Sequence, residues 1–369
     1  MLRLERRREA STALLYLTPV VAVALTVAAG ILLFTILGKD PLRAVTIIFV
    51  EPLTTTFGLS EIVVKATPLI LIAVGLAIGF RAGVWNIGAE GQFTIGALTG
   101  GAVGLALYDV PGIWVLPLMA LAGIAGGMAW GAIPALLRTR FNANEILVSL
   151  MLTYVAILIL SVLVHGPLRD PDGMNFPESR LFHHSATLPY LLDGTRMHVG
   201  AIAALAAVGL AALFLGRHVV GFQIKVYGEA PDAARFAGFS EARIVWVCLI
   251  VSGGLAGMAG LVEAAGPVGQ LVPALPVGYG FTAIIVAFLG RLNPVGILFA
   301  GLLLALTYIG GEGAQIAMSL PSAVTSVFQG MLLFFLLASD VLVNYRLRWT
   351  ARPAGAGSTA AAAVEQPAE

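Results

Sequence analysis

The chain has 369 residues, of which 59% are hydrophobic and 11% charged, with a mean hydropathy of +0.94 and a formal net charge of +1. Soluble domains carry about 25% charged residues, so lipid rather than water must be the main solvent of this surface. The near-zero net charge offers no footprint for nucleic acid, and the single cysteine, Cys248, excludes an intrachain disulfide or a thiolate metal cluster.

The N-terminus is basic, with Arg3, Arg6, Arg7 and Arg8, and leads into an apolar run over 14–37. A signal peptide has an apolar core of about 7–15 residues and a small-residue cleavage site. This run is longer and has no such site, so it reads as an uncleaved first span. Further spans of about 17–25 apolar residues are predicted at 62–79, 87–108, 112–137, 146–165, 199–216, 244–265 and 323–343. The stretch 281–309 is also apolar, but Gly290-Arg291-Leu292-Asn293-Pro294 interrupts it. A proline and a charge at that point predict two shorter helices turning at Arg291.

That division makes an all-α polytopic membrane protein of about ten transmembrane helices. Both termini are then cytoplasmic, as arginines at both ends require. Fifteen of the 21 lysines and arginines fall on the cytoplasmic side, among them Arg81, Arg138, Arg140, Arg217, Lys225, Arg235, Arg243, Arg291, Arg346 and Arg348. Lys39, Arg43, Arg169, Arg180 and Arg196 fall outside, and Lys65 lies within a span. The expected organisation is a basic cytoplasmic N-terminus at 1–13, a transmembrane domain at 14–345 and a cytoplasmic, disordered tail at 346–369. Inside the domain, 166–198 forms an external loop and 217–243 a cytoplasmic one.

The polar signals are few. Residues 80–97 combine Gly83, Gly88 and Gly91 with Trp85, Asn86, Glu90 and Gln92. Glycines permit a broken backbone, which membrane depth tolerates only when it is buried in protein or lines a cavity. Asn86 and Glu90 are four apart and share a face if helical. An acid in a span points to a pathway residue. A structural hydrogen bond to a neighbour such as Lys65 explains Glu90 equally well.

Asn142 and Glu145 fit a capping box before the next span, and Glu263 sits near the outer end of its span, within reach of water. Residues 228–238 carry Glu229, Pro231 and Asp232 at one end and Gly238 at the other, the marks of a short capped helix. Its alanines, Ala230, Ala233, Ala234 and Ala237, leave no apolar stripe with which to bury it in its own chain.

His165, His183, His184 and His198 cluster around the outer loop in no standard metal spacing. The glycines spaced three or four apart in the spans read as close helix packing. No phosphate-binding Gly-Lys-Ser/Thr loop occurs, and no nucleophile–base constellation supports enzymatic chemistry. ATP-driven transport would need another chain to hydrolyse the ATP.

Residues 83–92, Gly-Val-Trp-Asn-Ile-Gly-Ala-Glu-Gly-Gln, resemble the signature of permease subunits in bacterial nucleoside-type ABC importers, within the branched-chain amino acid and ribose permease superfamily. Asn144-Glu145-Ile146 leading into Met151-Leu152-Thr153-Tyr154, the segment 228–238, and Gly278 to Ile284 running on to Asn293-Pro294 extend the resemblance over about 60–340.

The resemblance implies the ten-span fold of vitamin-importer-type permeases in a bacterial inner membrane. It also implies a second related permease subunit, a tandem ATP-binding subunit that binds the ATP and Mg, and an external substrate-binding lipoprotein that delivers a nucleoside. The chain itself would hold no cofactor. By position, 228–238 matches the helix that docks on the ATPase, so Glu229, Pro231, Ala233, Ala234 and Arg235 are the expected coupling residues. Trp85, Asn86, Glu90 and Gln92 are the expected substrate pathway. A sugar or other small polar solute is the alternative cargo. An ion-coupled secondary transporter is the rival class, since its helices also break near the midplane.

Overall fold

The computed structural model describes residues 2–6, 12–110, 112–321 and 323–349. Arg7, Arg8 and the tail from 350 onward, Arg352 included, lie outside the described residues. The chain divides into two compact units, one holding residues up to Gly30 and from Gly330, the other Ile31–Gln329.

Most of what is described is helical, and helices suit a chain dissolved in lipid. With no water to satisfy backbone groups, each helix pairs its own. The helices are α1 (Thr12–Ile36), α2 (Pro41–Phe49), α3 (Thr56–Arg81), α4 (Ala89–Ala106), α5 (Val115–Phe141), α6 (Glu145–His165), α7 (Gly200–Arg217), α8 (Val219–Glu229), α9 (Pro231–Phe236), α10 (Glu241–Glu263), α11 (Tyr279–Leu289), α12 (Pro294–Met318) and α13 (Ala323–Asn344). Seven of the described helices are long and apolar enough to cross a membrane: α1, α3, α5, α6, α7, α10 with its π-turn extension, and α12. The chain is therefore a multi-pass membrane protein.

In the first unit, β1 (Leu2–Arg6) pairs antiparallel with β2 (Tyr345–Trp349), Leu2 opposite Trp349. Residues 346–349 were expected to belong to a disordered tail. They form a strand instead, and this ribbon sets the two described ends of the chain side by side.

In the second unit, α3 is buried along most of its length and packs on α10, α11, α12 and α7, while α4 fits between α5, α6 and α10. Close packing at the α4–α5–α10 junction depends on glycine. A Cβ on Gly96 would stand 2.1 Å from the Gly257 Cα, and one on Gly127 would stand 2.1 Å from the Gly253 carbonyl oxygen. This is how small residues bring helices together where lipid supplies no hydrophobic drive. The amphipathic α2, capped by Asp40, was not foreseen. It lies along α12, where the Ile48 carbonyl fills the space a side chain would need at Gly310.

The break inside 281–309 falls where the sequence placed it. Arg291 and Leu292 both take left-handed φ, 57° and 54°, between α11 and α12. α12 is longer than expected and runs on to Met318. The expected capping box of Asn142 and Glu145 does not form; the cap lies two residues further on, and Glu145 takes the first helical position. Asn142 ends α5 in a left-handed conformation, and Asn144 caps α6 by accepting from the Ile146 and Leu147 amides.

The ends of the bundle differ in chemistry. At one end Arg81 donates to the Leu292 carbonyl at 3.0 Å, Gly228 abuts the Arg81 carbonyl, and Arg138 pairs with Glu145 and faces Glu241. At the other, 166–198 folds back on the end of α10. Ser179 donates to Leu271, Phe182 to Gly269 and Leu188 to Ala265, at 2.8–2.9 Å. Arg196 pairs there with Glu61, twenty residues and about 30 Å of helix from Arg81.

Candidate functional site

The polar signature folds into a break between α3 and α4. The Gly79 carbonyl accepts from both the Ala82 and Val84 amides, and Gly83 turns the chain at φ 68°. Asn86 is 1% exposed, and its side chain fastens the break. Its Nδ2 donates to Gln92 Oε1 at 2.7 Å and to Ser252 Oγ on α10 at 2.9 Å. Its Oδ1 accepts from the Gly88 amide at 3.1 Å and from Gln92 Nε2 at 3.2 Å. The Ile87 amide finds Ser149 Oγ of α6 at 3.3 Å. Asn86 and Ser149 thus satisfy backbone amides that the broken helix cannot, while Gln92 and Ser252 hold Asn86 in place.

Glu90 is equally buried. Its Oε1 accepts from the Gly278 amide at 2.7 Å, and its Oε2 accepts from the Gly280 amide. These amides open α11, so Glu90 caps a helix distant in sequence with a charge-assisted pair of bonds. Its partner is backbone rather than the expected Lys65.

Trp85 stands apart from the other three. It is 37% exposed at the Arg81 end, where its ring lies 4.8 Å from Phe80 and 5.9 Å from Phe288. The structure therefore brings Asn86, Gln92 and Glu90 into one buried frame and leaves Trp85 at the rim.

The 217–243 loop holds two helices meeting at Ala230 (φ −149°, ψ 79°) rather than one over 228–238, with Glu229 closing α8. Ala234 requires a correction. It was expected to face a partner, but it is fully buried in the chain's own core among Ile224, Tyr227, Val245 and Cys248. Pro231, Asp232, Ala233 and Phe236 are exposed, and Phe236 is 97% exposed. Arg235 already bonds Glu241 at 2.9 Å and Asp232 at 3.5 Å. Its guanidinium is held above its ordinary value, chiefly by the hydrogen bond to Glu241.

Sequence reasoning missed a second polar cluster nearer the Glu61 end. Lys65 Nζ donates to Tyr279 Oη at 3.1 Å and faces Glu312 at 3.6 Å. It also lies 5.5 Å and 5.9 Å from the ring centres of Tyr279 and Tyr308. Tyr279 Oη donates to Glu263 at 3.2 Å, so Glu263, 8% exposed, does not reach for water as expected. Tyr308 Oη meets Thr282 Oγ1 at 2.9 Å.

Arg196 and Glu61 close the cluster at their end of the bundle. The bond to Glu61 holds the Arg196 guanidinium above its ordinary value, with Glu263 and Glu312 adding to the field. Lys65 alone in its span was the available signal. An isolated lysine there demands a carboxylate, and only the fold shows that Glu312 of α12 supplies it.

The histidines do not converge. His198 is buried and accepts from the Gly200 amide at 3.2 Å, and burial lowers its pKa to about 4. His183 bonds Ser185, and His165 the Ser161 carbonyl. No group of metal-ligating side chains occurs among the described residues. A crevice of about 540 Å³ lined by Ile78, Ile124, Met128, Ala207 and Leu210 is apolar and offers nothing to a polar solute.

Residues 58–337 match the family described as the permease component of branched-chain amino acid transport systems. The chain is 38% identical over 356 residues to the glucose ABC transporter permease protein TsgB13 of Haloferax volcanii, covering 94% of this chain and 93% of that one. It is 30% identical over 329 residues to the guanosine ABC transporter permease protein NupP of Bacillus subtilis (88% and 93%). It is 27% identical over 334 residues to the nucleoside ABC transporter permease protein NupB of Lactococcus lactis (88% and 92%). No solved structure matches.

Proposed function

The chain belongs to the family of permease components of branched-chain amino acid transport systems, and we propose that it is the membrane-spanning subunit of an ATP-driven importer whose cargo carries a sugar ring. The observation that carries this reading is the match over nearly the whole chain to permeases named for glucose, guanosine and nucleosides. A nucleoside was the leading expectation, with a sugar or other small polar solute as the alternative. The 38% identity to a glucose permease widens it to the ring both cargoes contain.

A separate ATP-binding subunit hydrolyses the ATP, an external lipoprotein delivers the solute, and a second permease completes the route across a cytoplasmic membrane. In this reading α4, α11 and α13 join the seven long helices to make ten spans, with both termini in the cytoplasm. The β1–β2 ribbon supports an even number of crossings, since it holds the two chain ends together. The arginines at the Arg81 end support its assignment to the cytoplasm. Energy enters at α9, whose exposed Pro231, Asp232, Ala233 and Phe236 form the docking face, while the inward Ala234 seats the helix in the core shared with α8 and α10. Asn86, Glu90 and Gln92 border the pathway as the frame that fixes its broken helices.

The test is reconstitution of the complete transporter in proteoliposomes with labelled guanosine and labelled glucose. ATP-dependent accumulation of either supports the reading. Accumulation of neither, in vesicles where the assembled complex hydrolyses ATP, overturns the sugar-ring cargo.

A further inference from the structure

The Lys65–Glu312 face poses a physical problem that the frame around Asn86 does not. Lys65 lies nine residues from the start of α3 and Glu312 six from the end of α12, so both sit about 9–14 Å inside their helix ends. The Glu312 side chain is 52% exposed and that of Lys65 23%. Charged side chains at that depth do not face hydrocarbon; they face protein or a water-filled route. Their ion pair is long, 3.6 Å, and leaves carboxylate and ammonium hydrogen-bonding capacity on the open side.

Behind this face the polar groups bond one another. Tyr279 and Glu263 are buried and bonded to one another, and Thr282 holds the Tyr308 hydroxyl. Glu61, one helical turn from Lys65, carries Arg196 over the outer side.

We propose that Lys65, Glu312 and Tyr308 form a contact station for the sugar ring of the solute on its way through the membrane. Neighbouring hydroxyls of a sugar donate to the Glu312 carboxylate and accept from the Lys65 ammonium, which they reach by opening the long ion pair. The Tyr308 ring packs on the apolar C–H face of the sugar. The two cations, Lys65 and Arg196, each face a carboxylate of their own, Glu312 and Glu61, so the face has no surplus cation to offer. This balance suits an uncharged polyhydroxylated ring and rejects its phosphorylated form.

The assignment rests on the proposed function, and the test separates the two. The assembled transporter, reconstituted with its binding lipoprotein, is assayed for ATP-dependent uptake of labelled guanosine and labelled glucose, for the wild type, Glu312→Gln and Tyr308→Phe. If the wild type takes up neither, the proposed cargo fails and the station with it. With an active wild type, Glu312→Gln should lower uptake at limiting solute about tenfold or more, the equivalent of one lost charge-assisted hydrogen bond. Tyr308→Phe, which keeps the ring, should cost only a few-fold. Wild-type uptake by Glu312→Gln would overturn the station. So would loss of the second permease from the purified Glu312→Gln complex, which would make this face a subunit contact. A shift confined to one solute identifies which ring the site was built for.

Discussion

Replacing Glu90 separates a frame residue from a solute contact. Its carboxylate accepts two backbone amides at the start of α11, a helix of only 11 residues whose first turn has no other side-chain cap. Hydrogen bonds to a charged group contribute about 1.5–3 kcal/mol each, and an acid at a helix N-terminus adds about 0.3–1 kcal/mol. Glu90→Gln keeps one acceptor but turns an NH2 toward the second amide, so one bond is lost and one buried N–H is orphaned, at a cost of about 2–3 kcal/mol. Glu90→Ala orphans both and leaves a void, for about 3–5 kcal/mol.

Little relaxation is available, because a Cβ on Gly280 would already stand 2.3 Å from the Glu90 amide nitrogen. Equilibrium unfolding in mixed micelles measures the loss, and hydrogen exchange in the first turn of α11 locates it. The frame reading expects lower stability and faster exchange, with uptake falling in step with folded protein. Wild-type stability and protection in Glu90→Gln, together with lost uptake, would refute it and make the carboxylate a solute ligand.

On the coupling side, Phe236→Ala should reduce ATPase co-purification about tenfold while leaving permease yield intact. Ala234→Trp should instead lower folded yield, since overpacking a buried site costs about 1–3 kcal/mol or more; a well-folded Ala234→Trp that merely fails to bind the ATPase would contradict the inward placement. His198, neutral with a pKa of about 4 against an ordinary 6.5, makes the native state lose stability as pH falls from about 6.5 to about 4. The loss is bounded at roughly 3 kcal/mol, and His198→Asn should flatten that part of the pH profile. In a Cys248→Ser background, cysteines at Asp172 and Asp232 should label from opposite faces of the membrane. Labelling of both from one face would sink the ten-span topology.

Much of the scaffold was readable because lipid imposes simple rules. Apolar length gave the helices, and Gly290 to Pro294 gave the turn, since proline and paired left-handed residues cannot continue a helix. What escaped depends on direction rather than composition. Residues 228–238 offered several alanines and no apolar stripe, yet one methyl, that of Ala234, finds a pocket between α8 and α10. Asn142 and Asn144 are both good cap residues, and only the left-handed turn at Asn142 decides that Asn144 opens α6. The partners of Glu90 are backbone amides nearly two hundred residues away, which no side-chain pattern announces. Glu312 drew no attention because its counter-charge sits on another helix.

These outcomes bear on what a family signature can tell. The residues that carry the resemblance, Asn86, Glu90 and Gln92, have their hydrogen bonds taken up inside the chain, by Ser252, by one another and by the start of α11. A group so occupied has nothing left with which to distinguish glucose from guanosine. It fixes where the helices break and how they meet, and a frame of that kind serves any cargo. Permeases named for different solutes are accordingly similar to this chain along nearly all its length. Selection has to reside in polar groups that the fold leaves partly open. Lys65, Glu312 and Tyr308 meet that condition at membrane depth, and they do so one helix end away from the frame, since Tyr279 opens the helix that Glu90 caps and also bonds Lys65. The signature therefore identifies the class of machine through residues that hold it together, and the cargo is to be sought where the signature is silent.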